Sequence, residues 1–196
     1  MTRLRWYTGI FMNNVLIQFD TLTTLVALGT VMMELGFFAL LALWFFRSKA
    51  DVLEEYAGYI GRFGLWIGFS LSIMTVVISL YYSEVLGFAP CGLCWLVRIF
   101  SYSQLVLFTV ALIKGDRGVA DYSIALSSLG LLVGLYQHYL QMGGAELVNC
   151  PASGTGADCA ERFMFSFGHI TFPWVAVSMF AFLIVVMLFV RSKSKS

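Results

Sequence analysis

The sequence predicts an all-α membrane protein, a four-helix transmembrane bundle with one additional N-terminal transmembrane helix. Its composition indicates a membrane, because 60% of the 196 residues are hydrophobic and only 12% are charged, whereas soluble domains are about 45–50% apolar. Five apolar stretches reach the about 20 residues that a helix needs to cross about 30 Å of hydrocarbon. They cover approximately residues 22–46, 63–82, 94–113, 121–140 and 171–190. The net charge is only +1, which argues against nucleic acid as a ligand because nucleic-acid-binding proteins are usually strongly basic.

The first 21 residues are more polar than the span that follows them. Arg3, Arg5 and Asn13 interrupt the apolar residues, so the segment lacks the short apolar core and cleavage site of a secretory signal. Trp6 and Tyr7 are expected at headgroup depth, where tryptophan and tyrosine are enriched in membrane proteins. We therefore expect residues 1–21 to form an amphipathic segment at the membrane interface, with a disordered tail as the alternative.

The positions of the basic residues predict the orientation of the spans. Eight of the twelve Lys and Arg residues fall on one side of the predicted spans, and this side is expected to be cytoplasmic. These eight are Arg47, Lys49, Arg62, Lys114, Arg117, Arg191, Lys193 and Lys195. The other side has Arg3, Arg5 and Arg162 in its segments and Arg98 just inside a helix. We therefore expect the N-terminus outside and the C-terminus in the cytoplasm.

All four cysteines fall on the predicted outer side, although the charge count made no use of them. They are Cys91, Cys94, Cys150 and Cys159. Disulfides form and persist outside the cytoplasm, so this placement indicates disulfide chemistry. A lone CxxC motif serves zinc sites and redox pairs alike, and a second pair on the same side favours a redox role.

The stretch "APCGLCWLVRIF", residues 89–100, places the CxxC motif at the start of a span. Pro90 can fix the backbone conformation just before a helix, so Cys94 is expected in the first helical turn. There, free N–H groups and the helix dipole stabilise a thiolate. Arg98 follows four residues later, on the same helix face and about 6 Å deeper. An arginine entering hydrocarbon is costly, so we expect it to meet an anion such as this thiolate or a carbonyl of a lipid-soluble molecule. The alternative is that Arg98 extends to the headgroups and the CxxC is a structural disulfide.

The second pair lies in the loop "NCPASGTGADCAERF", residues 149–163, which is rich in Gly, Ser and Ala. Such a backbone is expected to be mobile. Exchange requires a thiolate to reach a disulfide sulfur, and a mobile loop lets Cys150 face outward while Cys159 turns toward the CxxC. A simple disulfide that staples the loop is the alternative.

Several motifs together resemble the DsbB family of membrane thiol oxidases, including its BdbC branch. "CGLCWLVR" is similar to the family's CxxC with an arginine four residues later, and "YQHYLQM" to its histidine-containing third core helix. "DCAERF" and "ITFPW" resemble its last loop and the start of its last helix. The resemblance covers about residues 63–190 and implies a bacterial cytoplasmic (inner) membrane protein.

The resemblance also implies an electron path from a DsbA-like thioredoxin-fold partner to a membrane quinone, either ubiquinone or menaquinone. In this path Cys150 forms the mixed disulfide with the partner, and Cys159 exchanges with Cys91. Cys94 then passes the electrons to the quinone. Such a path is needed because DsbA-like proteins are strong oxidants, near −120 mV, so a further acceptor must take the electrons.

Two residues are implied to bind the quinone. Arg98 is expected to bind its carbonyl and to stabilise the Cys94 thiolate, and His138 matches a family histidine near the quinone. For His138 we keep the alternative that it is an interface residue hydrogen-bonded to a loop carbonyl. The protein is expected to supply position, charge and a dry pocket, whereas the quinone supplies the redox chemistry.

The chain departs from the family pattern in two ways. Family members usually have four spans, so we assign residues 1–47 to an interfacial segment plus an extra transmembrane helix and residues 48–196 to the DsbB-like redox domain. The last loop has only eight residues between its cysteines, which restricts how far they can separate. Glu34 lies near the middle of the extra helix, where an ionisable group is a functional candidate. It is either simply protonated, or in contact with a polar group of the bundle or, less favoured, involved in protonation of the quinone.

Three other classes of protein share some of these features. The vitamin K epoxide reductase family also joins paired cysteines to a quinone, but there the loop cysteines precede the CxxC. A non-enzymatic tetraspan-like scaffold, as in claudins or tetraspanins, would use its disulfides only to brace loops and would leave Arg98 without a task. A structural zinc site is disfavoured because an oxidising compartment and a membrane-embedded pair suit a cage of four thiolates poorly.

Overall fold

The computed structural model describes residues 2–147, 150 and 158–194, with side chains described from 19 to 193 within these ranges. Its helices are α1 (Thr2–Phe46), α2 (Asp51–Leu80), α3 (Gly92–Lys114), α4 (Val119–Gln141) and α5 (Phe172–Ser194). A 3₁₀ turn, Arg47–Lys49, joins α1 to α2, and a π-helical turn, Tyr81–Val85, ends α2. All five helices are long and apolar enough to cross a membrane. The predicted all-α membrane fold with five spans is confirmed.

Two helices extend beyond their predicted spans. α1 continues to Thr2 without a break in its helical backbone, whereas a separate segment was predicted before residue 22; its placement at the interface stays a prediction. α2 begins at Asp51 rather than near residue 63. Its first turns carry charged residues such as Glu54 and Arg62, which hydropathy excludes from a span although they are compatible with a helix that continues into water.

The bundle is a ring of four helices with α1 outside it. α2, α3, α4 and α5 pack in the order α2–α3–α4–α5 and back to α2, and α1 packs mainly on α5. Glycines allow close approach inside the ring: a Cβ at Gly68 would meet the Phe108 ring at 2.7 Å, and one at Gly130 would meet the Phe180 ring at 2.5 Å. Small residues with this role are common where membrane helices pack.

The two ends of the bundle differ in chemistry. At one end the Arg191 Nε lies 2.9 Å from the Asp121 carboxylate, and Arg47 donates a hydrogen bond to the Ser192 hydroxyl at 3.2 Å. At the other end α3 begins at the CxxC motif, and α4 ends before the loop that carries the second pair of cysteines. Arg47 and Arg191 therefore lie at the end of the bundle opposite the cysteines, and which end faces the cytoplasm stays a prediction.

Candidate functional site

The CxxC motif forms the N-terminus of α3. Cys91 is the residue that caps the helix, with φ −74° and ψ 173°, and its Sγ accepts a hydrogen bond from the backbone N–H of Cys94 at 3.2 Å. Cys94 therefore lies in the first helical turn, as Pro90 and the following apolar stretch predicted. The N-terminus of a helix offers free N–H groups and the positive end of the helix dipole, which favour a negative charge on a sulfur in this turn.

A glutamine of α4 contacts both sulfurs of this motif. The Gln137 side-chain amide donates to the Cys94 Sγ at 3.0 Å and to the Cys91 Sγ at 3.2 Å. Gln137 is only 2% exposed. Gln137 was not predicted as a site residue from the sequence, whereas its neighbour His138 was. A signal was present, because a glutamine in a membrane span that shares a helix face with Gly130 and Gly134 is expected to face the bundle.

The two thiols of the CxxC differ in acidity. The adjacent Cys94 sulfur, followed by burial, raises the pKa of Cys91 above its ordinary value. Cys91 is 2% exposed, whereas Cys94 is half-buried. A negative charge on the reduced pair is therefore better placed on Cys94, where the helix N-terminus and the Gln137 amide meet.

The second pair of cysteines lies against the first. Cys150 and Cys159 form a disulfide with a Cα–Cα distance of 5.9 Å, whereas Cys91 and Cys94 are free thiols. Cys159 is fully buried and belongs to the same apolar cluster as Cys91, with Cys94 and Cys150 packed against it. The expected mobility of this loop concerns residues 151–157, which lie outside the described residues. All four sulfurs thus meet at one end of the bundle.

Arg98 lies one turn below Cys94, between α3 and α2. Its guanidinium donates to the Ser79 carbonyl at 3.1 Å, close to the π-helical turn that ends α2, and lies 5.5 Å from the centre of the Trp95 ring. Tyr102 donates to the hydroxyl of the same serine at 3.2 Å. The side chain is half-buried, so the rest of the guanidinium can meet a polar group that arrives from the bilayer.

Two cavities lie between the helices at a distance from the CxxC motif. One, of about 200 Å³, lies between α3 and α4 near Val110 and Tyr122. The other, of about 560 Å³, lies between α1, α2 and α5 near Gly36 and Phe182. Arg98 lines neither cavity. The dry pocket expected from the sequence stays a prediction, and the half-buried Arg98 lies beside the exposed Trp95 ring.

His138 faces a different helix from Arg98. Its Nδ1 lies 2.9 Å from the Thr171 hydroxyl, and its ring centre lies 4.7 Å from that of Trp174 on α5. The partner is thus a threonine hydroxyl rather than the loop carbonyl considered for the alternative. Arg98, in contrast, bonds to α2. The described contacts do not join the two residues, and a role for His138 at the quinone stays a prediction.

Glu34 contacts polar groups of the bundle, as one expectation held. Its carboxylate accepts hydrogen bonds from the Trp174 indole at 2.6 Å and from the Ser178 hydroxyl at 3.2 Å. The His169 ring nitrogen lies 3.9 Å from its other oxygen. The extra helix is therefore tied to α5 and to the last loop by a polar network near the start of α5.

The chain is similar to known proteins of disulfide bond formation. A family model described as "Disulfide bond formation protein DsbB" matches residues 61–190. The probable disulfide formation protein C 1 of Bacillus anthracis is 32% identical over 116 residues, which cover 59% of this chain and 83% of the relative. No solved structure matches this chain.

Two relatives from Bacillus subtilis (strain 168) are similar to longer parts of the chain. The SPbeta prophage-derived disulfide bond formation protein B is 35% identical over 137 residues, which cover 70% of this chain and 90% of the relative. Disulfide bond formation protein C is 27% identical over 129 residues, which cover 66% of this chain and 93% of the relative. The family match begins within α2, so α1 lies outside it.

Proposed function

This chain belongs to the DsbB family of disulfide bond formation proteins, and on this premise we propose that it reoxidises a DsbA-like thioredoxin-fold protein and passes the electrons to a membrane quinone. Membership makes it a multi-pass membrane protein of disulfide bond formation with a disulfide oxidoreductase role. The proposal adds the partner, the acceptor and the order of the cysteines.

The first exchange takes place on the loop disulfide. A thiolate of the reduced partner attacks the Cys150 sulfur and breaks the Cys150–Cys159 bond, so that Cys159 leaves as a thiolate. The second thiol of the partner then attacks the mixed disulfide, which oxidises the partner and leaves Cys150 and Cys159 reduced. Cys150 is assigned this step because Cys159 is fully buried and faces the CxxC cluster.

The second exchange passes the electrons inward. The Cys159 thiolate attacks the Cys91 sulfur of an oxidised CxxC, the Cys91–Cys94 bond breaks, and Cys94 leaves as a thiolate. Cys150 then attacks Cys159, which restores the loop disulfide and releases Cys91 as a thiol. The single observation that carries the proposal is that Cys91 and Cys159 share one buried cluster while Cys94 lies at a helix N-terminus.

The residues around Cys94 fit a quinone. The Gln137 amide and the first turn of α3 hold negative charge on the Cys94 sulfur. Arg98 uses one nitrogen on the Ser79 carbonyl, and an arginine has five N–H donors, so others can hold a carbonyl oxygen one turn below the sulfur. The quinone, when bound, takes up two electrons and two protons. The open side of Arg98 lets a lipid-soluble molecule enter laterally from the membrane.

The cysteines are proposed to lie on the extracytoplasmic side of a bacterial inner membrane, with the N-terminus outside and the C-terminus in the cytoplasm. The bundle end with Arg47 and Arg191 carries the excess of basic residues, which favours the cytoplasm. An oxidising compartment at the other end suits a disulfide in the last loop.

The test is quinone reduction by the purified full-length protein with a reduced DsbA-like protein as electron donor. We expect turnover in the wild type, none in Cys94→Ser, and a rate reduced at least tenfold in Arg98→Met. Arg117→Met, at the opposite end of the bundle, is the matched control and should keep the wild-type rate. A wild-type protein that reduces no quinone, or an Arg98→Met variant as fast as the control, would contradict the proposal.

A further inference from the structure

The extra helix α1 contacts the chain segment that leads into the CxxC motif. The Phe19 ring centre lies 5.3 Å from that of Phe88 and 6.2 Å from that of Tyr82. The Thr23 hydroxyl lies 3.1 Å from the Tyr82 hydroxyl. Phe88 precedes Cys91 by three residues, so α1 touches the chain immediately before the redox pair.

The same phenylalanine also contacts the other cysteine segment. The ring centres of Phe88 and Phe163 lie 5.1 Å apart at an interplanar angle of 62°. Phe163 follows Cys159 by four residues. Phe19, Phe88 and Phe163 thus form a run of ring contacts, called here the aromatic clasp, that joins α1 to both segments whose sulfurs would exchange.

α1 anchors the rest of the last loop as well. Ala27 is fully buried in one cluster with Met164 and Ile170, which are 3% and 0% exposed. Two backbone hydrogen bonds of 2.9 Å between Ser166 and Ile170 close a tight turn in this loop. Together with the Glu34 network, these contacts tie the loop segment after Cys159 to α1.

We propose that α1 is a built-in positioning element for the exchange step, which holds Cys159 against Cys91 through the aromatic clasp. This inference rests on the proposed function, because it concerns the step in which the Cys159 thiolate attacks the Cys91 sulfur and Cys94 leaves as a thiolate. The loop has only eight residues between its cysteines, which limits its own reach. Fixing the two segments against each other raises the effective concentration of one sulfur at the other. Phe19, Phe88 and Phe163 are therefore positioning residues.

The test measures that effective concentration directly. The full-length variant Cys94→Ser/Cys150→Ser keeps only Cys91 and Cys159, which can form the disulfide of the exchange intermediate. Equilibration with glutathione redox buffers of known ratio gives its stability without quinone or partner protein. We expect Phe19→Ala in this background to lower the effective concentration about tenfold, which corresponds to ~1.4 kcal/mol.

A control and a second variant make the result decisive. Phe45→Ala removes a ring that is 69% exposed near the other end of α1 and should leave the equilibrium unchanged. Phe19→Leu keeps apolar volume at the same position and removes the ring contacts, so it decides the outcome if the alanine variant does not fold. Phe19→Leu should also lower the effective concentration of the two thiols.

The outcome is separate from that of the quinone assay. A glutathione equilibrium that is the same in Phe19→Leu, Phe45→Ala and the parent overturns the positioning role, even if the wild type reduces quinone. A wild type that reduces no quinone overturns the proposed function, and the equilibrium still reports whether α1 holds the two sulfurs together. A loss confined to the Phe19 variants supports the inference.

Discussion

Replacing Gln137 by leucine tests how the bundle activates the CxxC. The side-chain amide donates to the Cys94 sulfur at 3.0 Å from a position that is 2% exposed. A hydrogen bond to a charged group contributes about 1.5–3 kcal/mol. Leucine has a similar size, so the change removes the donor and leaves little empty space. We expect Gln137→Leu to lower the equilibrium constant for ionisation of Cys94 roughly 10- to 100-fold, since ~1.4 kcal/mol is a factor of ten.

The measurement is the rate at which iodoacetamide alkylates Cys94 in the reduced protein, followed by mass spectrometry. Only the thiolate reacts, so the rate should fall at neutral pH, and by the full factor at a mildly acidic pH where the thiol is mostly protonated in both proteins. At strongly alkaline pH, where both proteins are fully ionised, the two rates should converge, and this separates ionisation from access. Quinone reduction should slow in parallel.

Gln141→Leu is the matched control. This glutamine lies one turn further along α4 and donates to the Glu161 carbonyl at 2.9 Å rather than to a sulfur. Its replacement should leave the alkylation rate of Cys94 unchanged. If Gln137→Leu reacts at the wild-type rate at neutral pH, or if both variants slow equally, the amide does not stabilise the thiolate and the reasoning is refuted.

Three further predictions concern the thiols, the extra helix and the packing. The pKa of Cys91 is raised mainly by the Cys94 sulfur, so Cys94→Ala should lower this pKa. Cys91 should then be alkylated at a lower pH than in the reduced wild type. An unchanged pH profile of alkylation would contradict this prediction. Glu34→Ala leaves two donors without their acceptor and should cost about 1–3 kcal/mol of stability, seen as a lower thermal midpoint, whereas Glu34→Gln should lose less because it keeps an acceptor. Gly130→Ala places a Cβ 2.5 Å from the Phe180 ring and should destabilise the bundle by about 1–3 kcal/mol. Gly29→Ala is the control, because nothing lies within 4 Å of its Cβ, and it should leave the stability unchanged. Equal thermal midpoints for the two variants would count against close helix packing at Gly130.

Much of the architecture follows from local features of the sequence. The number of spans and the place of Cys94 in the first turn of α3 were predicted correctly, whereas the side of the membrane that the cysteines face stays a prediction. Hydropathy, proline and charge near span ends affect the backbone only within a few residues, so their effects can be predicted from the local sequence. The predicted start of α2 was wrong by about three turns, because charged residues end a membrane span without ending a helix.

The chemical surroundings of the sulfurs depended on tertiary structure. Gln137 and His138 are adjacent in the sequence, yet one donates to both CxxC sulfurs and the other packs on α5. The contact between Phe88 and Phe163 joins segments 75 residues apart in the numbering, and no local pattern predicts it. Which side of a helix meets which neighbour is decided by packing between distant residues, where small glycines and large rings fit together. The sequence alone therefore determined the spans and the place of Cys94 in the first turn of α3, whereas tertiary packing decided which side chains surround the sulfurs and how α1 reaches them.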